Sequence, residues 1–397
     1  MAVAILTLVV LAPTMAADQN AYKPLFKVRI DHAFEDPQKS FEELKDLILQ
    51  NYYTQDLDEA SLYWGAAEGM LRRISPPDNP DLCKIWTSGQ YEKIVDSLKG
   101  EQVSLGIKST FNPNDGSLTV TEVVAGGPSQ NTLEPLDRIL RINGSDLKGK
   151  SLDEINAMVS GEENRRIDLT VNRDIEVFDV TIALKRFDPP ALVVTRLEPG
   201  LALVELRSFT ADLSKALRAE LDTLRHEKVT SLILDLRNNP GGVFVESLRI
   251  AEFFVPKDSV LLRTLQRDTD LKNYVSVNAA PFAFDLALLV NPKTASSAEI
   301  LTACLQDHQK AIVIGARTYG KGIFEKTFEL QNHTRVKLIT GAMYSPKGVC
   351  WHGKGIAPDF LVEQDEATLS ALLRLPASQR LPKDVAMITA TKLLKRK

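Results

Sequence analysis

The chain has 397 residues, 44% of them hydrophobic and 25% charged, with a formal net charge of −4. That length accommodates two or three domains with cores of their own, and a small negative charge mixed along the chain gives no electrostatic basis for a nucleic-acid partner. Three cysteines without metal-type spacing and five histidines outside any ligand pattern provide neither a disulfide framework nor a metal site, and no cofactor is implied.

At the N-terminus an apolar run from Ala2 to Ala12 is followed by small residues and then Asp18, which reads as a secretory signal over residues 1–17. The run is shorter than the roughly 20 residues that a bilayer span requires. Residues 18–100 form a helical region: "FEELKDLILQNYY" and "EASLYWGAAEGMLRRI" place apolar residues at three- and four-residue steps, and "GQYEKIVDSLKG" follows a Pro-rich break. Trp64, Leu71 and Ile74 read as packing residues of that region.

Over residues 101–186 the texture changes to short β-type runs around one helix, "SLDEINAMVSG", with Ser151 as N-cap and Glu154 completing a capping box. From residue 187 to 373, apolar strand cores such as "LILDL" and "LALLV" alternate with amphipathic helices, the pattern of a parallel sheet covered on both faces. Residues 374–397 read as a C-terminal helix with a basic end. The fold class expected is a multidomain α/β protein: a helical N-terminal region, an inserted β-domain, an α/β core and a closing helix.

Ligands of open α/β sheets gather beyond the carboxyl ends of the strands. Three turns follow apolar strands here: "RNNPGG", "NPKTASSAE" and "ARTYGKG". The last, within "GARTYGKG", comes one residue short of a phosphate-binding loop, but Gly322 replaces the hydroxyl that would hold Mg²⁺. The alternating "IFEKTFELQNHTRVKLIT" after it predicts a hairpin, where such a loop requires a helix. A different use for Lys321 follows: a desolvated lysine can take the proton of a Ser hydroxyl in "TASSAE", and Ser-Lys pairs are a variant of the serine triad. No "GxSxG" elbow is present for a Ser-His-Asp enzyme. Backbone N–H groups of Gly241 or Gly242, with the N–H that follows the nucleophile, would supply an oxyanion hole.

The segment 101–186 resembles a PDZ domain through "SLGI", "VAGGPS" and "LDRILRING". In such a module a peptide adds to a sheet edge and its terminal carboxylate meets the loop Ser104–Leu105–Gly106, next to Ile107. The order helical region, PDZ, "LDLRNNPGG", "TASSAEI", "TYGKG" and "GKGIAPD" resembles the carboxyl-terminal processing proteases, the S41 family of serine peptidases, over nearly the whole mature chain. The resemblance implies Ser296 as nucleophile, Lys321 as base and the Ser297 N–H in the oxyanion hole. Glu325 stands where the family has a Gln that orients the lysine, and its charge would favour the ammonium form. It further implies protein or peptide substrates with accessible C-termini, export to a bacterial periplasm or the outer face of the inner membrane, and self-association through the terminal helices. The PDZ turn departs from the family, with "LEPLDRI" where a glycine usually precedes the Asp. The alternative reading is a pseudo-protease that retains the fold and binds peptides.

Overall fold

The computed structural model describes residues 35–54, 57–76, 79–80, 82–92, 102–124, 126–187, 190–267, 270–375 and 377–396. The signal segment expected at residues 1–17, and the end of the third N-terminal stretch, lie outside them. Two compact units emerge, one built on the chain up to residue 85 with 268–271 and 325–339, the other on 86–267, 272–324 and 340–397.

In the first unit, helices Pro37–Asn51 and Glu59–Ile74 are N-capped by Asp36 and Asp58. Lys45 ties them together, reaching Glu42 at 3.0 Å and Glu59 at 2.8 Å. Leu71 is buried with Cys83 and Ile85, and Trp64, Val336 and Leu338 pack around them. Ile74, the last residue of its helix, does not join this cluster and is 52% exposed.

In the second unit, the β-domain is a sheet in the spatial order Ile107–Asn112, Ser117–Val123, Arg138–Ile142, Arg166–Arg173, Glu176–Ala183. Alternate positions turn inward, so Val120, Ile139, Ile142, Ile167, Leu169 and Val171 fill its core. Helix Leu152–Met158 carries the expected box: Ser151 N–H donates to Glu154 at 2.7 Å, and Glu154 N–H to Ser151 Oγ at 3.3 Å. Leu136 sits at φ 78°, the left-handed conformation that glycine supplies without strain.

The α/β core is a six-stranded sheet in the order Leu192–Glu198, Leu201–Leu206, Ser231–Asp235, Asp285–Val290, Ala311–Gly315, Phe360–Leu361. Only the first pair is antiparallel; the others are parallel. Ala202, Val204 and Leu206 face helices Leu213–His226, Phe244–Glu252 and Ser297–Asp307. Leu201 and Leu203, one residue out of phase, face Ala386, Met387 and Ala390 of helix Val385–Leu394. Both faces are thereby covered, the arrangement that continuous apolar strands require. The C-terminal stretch is divided where a single helix was expected. Ala377–Arg380 and Val385–Leu394 are separate helices, because Pro382 cannot continue the first and Asp384 caps the second through Ala386 N–H at 3.0 Å.

After Gly322 the chain enters strand Ile323–Glu329 and turns at His333 into strand Arg335–Tyr344, as the alternation predicted; the helix that a phosphate-binding loop must open is replaced by a hairpin. Among the described residues no helix is long and apolar enough to cross a membrane.

Candidate active site

All three polar turns stand at the carboxyl ends of parallel strands, and the hydrogen bonds that hold them run from turn to turn. Asn238 N–H donates to Asn291 Oδ1 at 2.9 Å, and Asn291 Nδ2 returns a bond to Asn238 Oδ1 at 2.7 Å. Ala295 N–H donates to Asn239 O at 2.9 Å, and Tyr319 N–H to Thr294 O at 3.0 Å. A Cβ built on Gly241 would lie 2.8 Å from Ser296 Cβ, so only glycine allows the first turn to abut the second.

Ser296 precedes helix Ser297–Asp307 with φ 55° and ψ −117°, a backbone conformation rarely occupied by a residue with a side chain. The half-buried Ser296 is held there by Glu299, whose side chain is fully buried. Glu299 Oε2 accepts from Ser296 N–H at 2.9 Å and from Lys321 N–H at 2.8 Å. Its Oε1 accepts from Thr318 Oγ1 at 2.6 Å and Gly320 N–H at 2.7 Å. One oxygen therefore sets the backbone of Ser296 against that of Lys321, and the carboxylate's four acceptor sites are filled. Burial pushes the Glu299 carboxyl above its ordinary range, opposed by these four donors.

The Lys321 turn has a second clamp. Gly353 N–H donates to Gly320 O at 2.9 Å, and the His352 ring lies 3.1 Å from the same oxygen through Nδ1, which therefore carries the proton. Ile356 N–H donates to Thr318 Oγ1 at 2.7 Å. A Cβ on Gly322 would fall 2.7 Å from His352 N.

Of the two glycines considered as oxyanion donors, Gly241 is engaged, its N–H donating to Asn239 Oδ1 at 2.8 Å. Gly242, at φ 141°, has no acceptor for its N–H among the described residues, and its carbonyl accepts from Ser297 Oγ at 3.0 Å. The Ser297 N–H, at the first position of its helix, likewise has none. Glu325, on strand Ile323–Glu329, approaches Lys337 at 3.9 Å.

Behind the first turn lies a buried ion ladder. Arg237 Nε and Nη2 donate to Asp235 at 2.9 and 2.7 Å, and Nη1 lies 2.8 Å from Asp384 Oδ2. Burial pulls the Arg237 guanidinium down, and the two carboxylates raise it above its ordinary value. Arg380 pairs with Glu205 at 2.9 Å.

In the β-domain, Gly106 takes φ 71° and a Cβ there would meet Pro128 Cδ at 2.8 Å. Its N–H donates to Ser104 Oγ at 3.2 Å, while Leu105 is buried and its carbonyl accepts from Ser129 Oγ at 2.6 Å. Ile107 begins the strand at the edge of the sheet, with no further strand beyond it among the described residues. A cavity of about 860 Å³ runs from Lys108 and Val123 on that side to Arg207, Asn238 and Lys293 beside the first turn.

Sequence reasoning passed over Glu299 and Asn239. Glu299 was within reach, since Ser296-x-x-Glu299 is a capping-box spacing ahead of an apolar helix. Asn239 gave no signal. Among the described residues no three His, Cys, Asp or Glu side chains cluster as a metal site.

Residues 200–362 match the family model "Peptidase family S41" and residues 94–172 the model "PDZ domain". A carboxyl-terminal-processing protease of Synechocystis is 30% identical over 325 residues, covering 80% of this chain and 75% of that protein. A probable CtpA-like serine protease of Staphylococcus aureus is 29% identical over 320 residues; the match spans 80% of this chain and 63% of that protein's length. Among solved structures, the photosystem II D1 C-terminal processing protease superposes with a TM-score of 0.58 at 22% identity, over 86% of this chain and 92% of that one, a likeness of fold.

Proposed function

Since the chain belongs to peptidase family S41, we propose that it is a serine endopeptidase that cleaves proteins at C-terminal or unstructured segments. Ser296 Oγ attacks the scissile carbonyl and Lys321 Nζ takes its proton. The tetrahedral oxyanion accepts hydrogen bonds from the N–H groups of Gly242 and Ser297. Collapse gives the acyl-enzyme, Lys321 passing its proton to the departing amine; water, deprotonated by Lys321, then attacks the acyl carbonyl, and Lys321 returns that proton to Ser296 Oγ as the acid leaves. Glu325 takes the place of the family's Gln, its charge facing Lys337 at 3.9 Å.

The observation that carries this reading is the Glu299 carboxylate, one oxygen of which receives both the Ser296 and the Lys321 N–H. A carboxylate spent on fixing two backbone segments is explained if their side chains must meet. Recruitment of the substrate tail is assigned to the edge strand from Ile107 and the Ser104–Gly106 loop, and the cavity between that side and Asn238 supports passage of an extended segment. Export is supported by the Ala2–Ala12 run. Self-association is supported by the exposed Leu44 and Leu47 of the first helix.

Digestion of an unfolded protein with a free or an amidated C-terminus tests both parts. Ser296→Ala and Lys321→Ala are each expected to abolish cleavage with the fold intact, and the double variant to be no worse than either. Amidation is expected to raise KM. An inert wild-type protein that still binds the free-ended peptide would make the chain a peptide-binding pseudo-protease.

A further inference from the structure

We infer that Asp384, in the C-terminal segment, is a positioning residue for the glycine turn and acts through Arg237. The inference rests on the reading of Gly242 as an oxyanion donor and concerns what holds that donor in place.

The two oxygens of Asp384 have different partners. Oδ1 caps helix Val385–Leu394 through the N–H groups of Ala386 and Met387, at 3.0 and 3.3 Å. Oδ2 faces Arg237 Nη1 at 2.8 Å. The helix packs under the sheet, on the face opposite the nucleophile helix, and it is already anchored there by Ala386, Met387, Ala390 and Leu394. An ion pair with side chains 3% and 0% exposed adds little to such packing, since desolvation offsets most of its attraction. What a fully buried pair does fix is geometry.

Arg237 opens the glycine turn. Its guanidinium is divided between Asp235, at the end of its own strand, and Asp384. Two residues on, Asn239 accepts Gly241 N–H on its side chain and Ala295 N–H on its carbonyl. Those bonds place Gly242 beside the residue that follows the nucleophile, where its carbonyl meets Ser297 Oγ at 3.0 Å. Without the charge of Asp384, one end of a buried guanidinium loses its counter-ion and must turn toward another acceptor, carrying the base of the turn with it. The oxyanion donor then shifts, while the edge strand from Ile107 and the Ser104–Gly106 loop, to which substrate recruitment is assigned, stay.

Asp384→Asn separates this from a structural role. Asparagine caps a helix as well as aspartate, so Val385–Leu394 keeps its N-cap while the oxygen that faces Arg237 is replaced by an uncharged NH₂ group. The full-length protein is compared with its variant by kcat and KM on a free-ended peptide, by thermal melting, and by affinity for a peptide boronate, which needs serine attack and oxyanion donors. Expected are a kcat lower by about ten- to a hundredfold, the range for a displaced oxyanion donor or a small misplacement, and a boronate affinity lower by the same factor. KM is expected within about threefold of wild type on the same grounds. Adding Asp384→Asn to Arg237→Met should cost nothing further in kcat; if Arg237→Met does not fold, the boronate affinity of Asp384→Asn decides alone. Boronate affinity within twofold of wild type overturns the inference, whether or not the melting temperature falls. A Ser296→Ala protein that still cleaves would sink the serine reading and this inference with it, whereas an inert Ser296→Ala beside a fully active Asp384→Asn sinks the inference alone.

Discussion

Replacing Glu299 by Gln removes one charge and changes one atom, and the outcome follows from the partners of each oxygen. Oε1 holds Thr318 Oγ1 and Gly320 N–H, and Oε2 holds Ser296 N–H and Lys321 N–H. A glutamine keeps one acceptor oxygen and presents an NH₂ in place of the other. With the NH₂ toward Ser296 and Lys321, two backbone donors face a donor. Turned the other way, the amide donates to Thr318 Oγ1 and only Gly320 N–H is stranded, so this orientation wins. One buried N–H without an acceptor costs about 1–3 kcal/mol. At roughly 2–4 °C per kcal/mol for a domain of this size, the melting temperature falls by about 2–12 °C. Glu299→Ala strands the three backbone donors at about 3–9 kcal/mol, comparable with the stability of a whole domain, so Gln is the useful probe. Its kcat should fall about tenfold or more, because the Lys321 turn loses one of its ties and a small misplacement is costly. Amide exchange should quicken at Gly320 and remain slow at Ser296 and Lys321. Wild-type kcat together with an unchanged melting temperature would refute the argument.

Three further outcomes are expected. Burial holds the Glu299 carboxyl above its ordinary range, and a protonated Glu299 must give up one of its four donors, so the acid limb of kcat/KM should lie above the ordinary carboxylate range and be absent in Glu299→Gln. The folded state takes up that proton more readily than the unfolded chain, so Glu299 itself lends no instability on acidification. Ser296→Gly should abolish cleavage yet raise the melting temperature, since φ 55° with ψ −117° costs a side chain about 1–3 kcal/mol and glycine gives back only about 0.5–1 through backbone entropy; a lower melting temperature would show that the turn is unstrained. Leu136→Gly, at φ 78° and 69% exposed, should stabilise the β-domain by up to about 1 kcal/mol by the same balance, read from urea unfolding, and a loss of stability would count against it.

The sheet, its helices and the three turns were legible because apolar runs such as "LILDL" and "LALLV" end abruptly in Asn, Pro, Gly and Ser, and a parallel sheet puts all such ends on one side. Ser151 and Glu154 were legible because the capping box is local. What escaped depends on side chains meeting across distant segments. The donation of Gly241 N–H to Asn239 Oδ1 turns on a rotamer that no spacing encodes, and it decides which glycine is free. The pairing of Arg237 with Asp384 joins a strand end to a turn near the C-terminus, a contact that only the packed sheet brings about. The break at Pro382 was present in the sequence and was outweighed by the apolar periodicity around it. Ile74 continued the helical spacing of Leu71 but stands at the last position of the helix and does not share its burial.

Glu299 gives the nucleophile's neighbourhood its shape without taking part in the chemistry assigned to Ser296. The Glu299 carboxylate meets Ser296 only at the backbone N–H, so exchange of that hydroxyl for hydrogen leaves all four of the carboxylate's donors in place. Form and reactivity are thus under separate genetic control. A lineage can silence the enzyme in one step and inherit an intact peptide cleft, whereas a lineage that loses Glu299 loses the cleft as well. Descendants of this fold that retain the acid and lack the serine would keep that backbone arrangement.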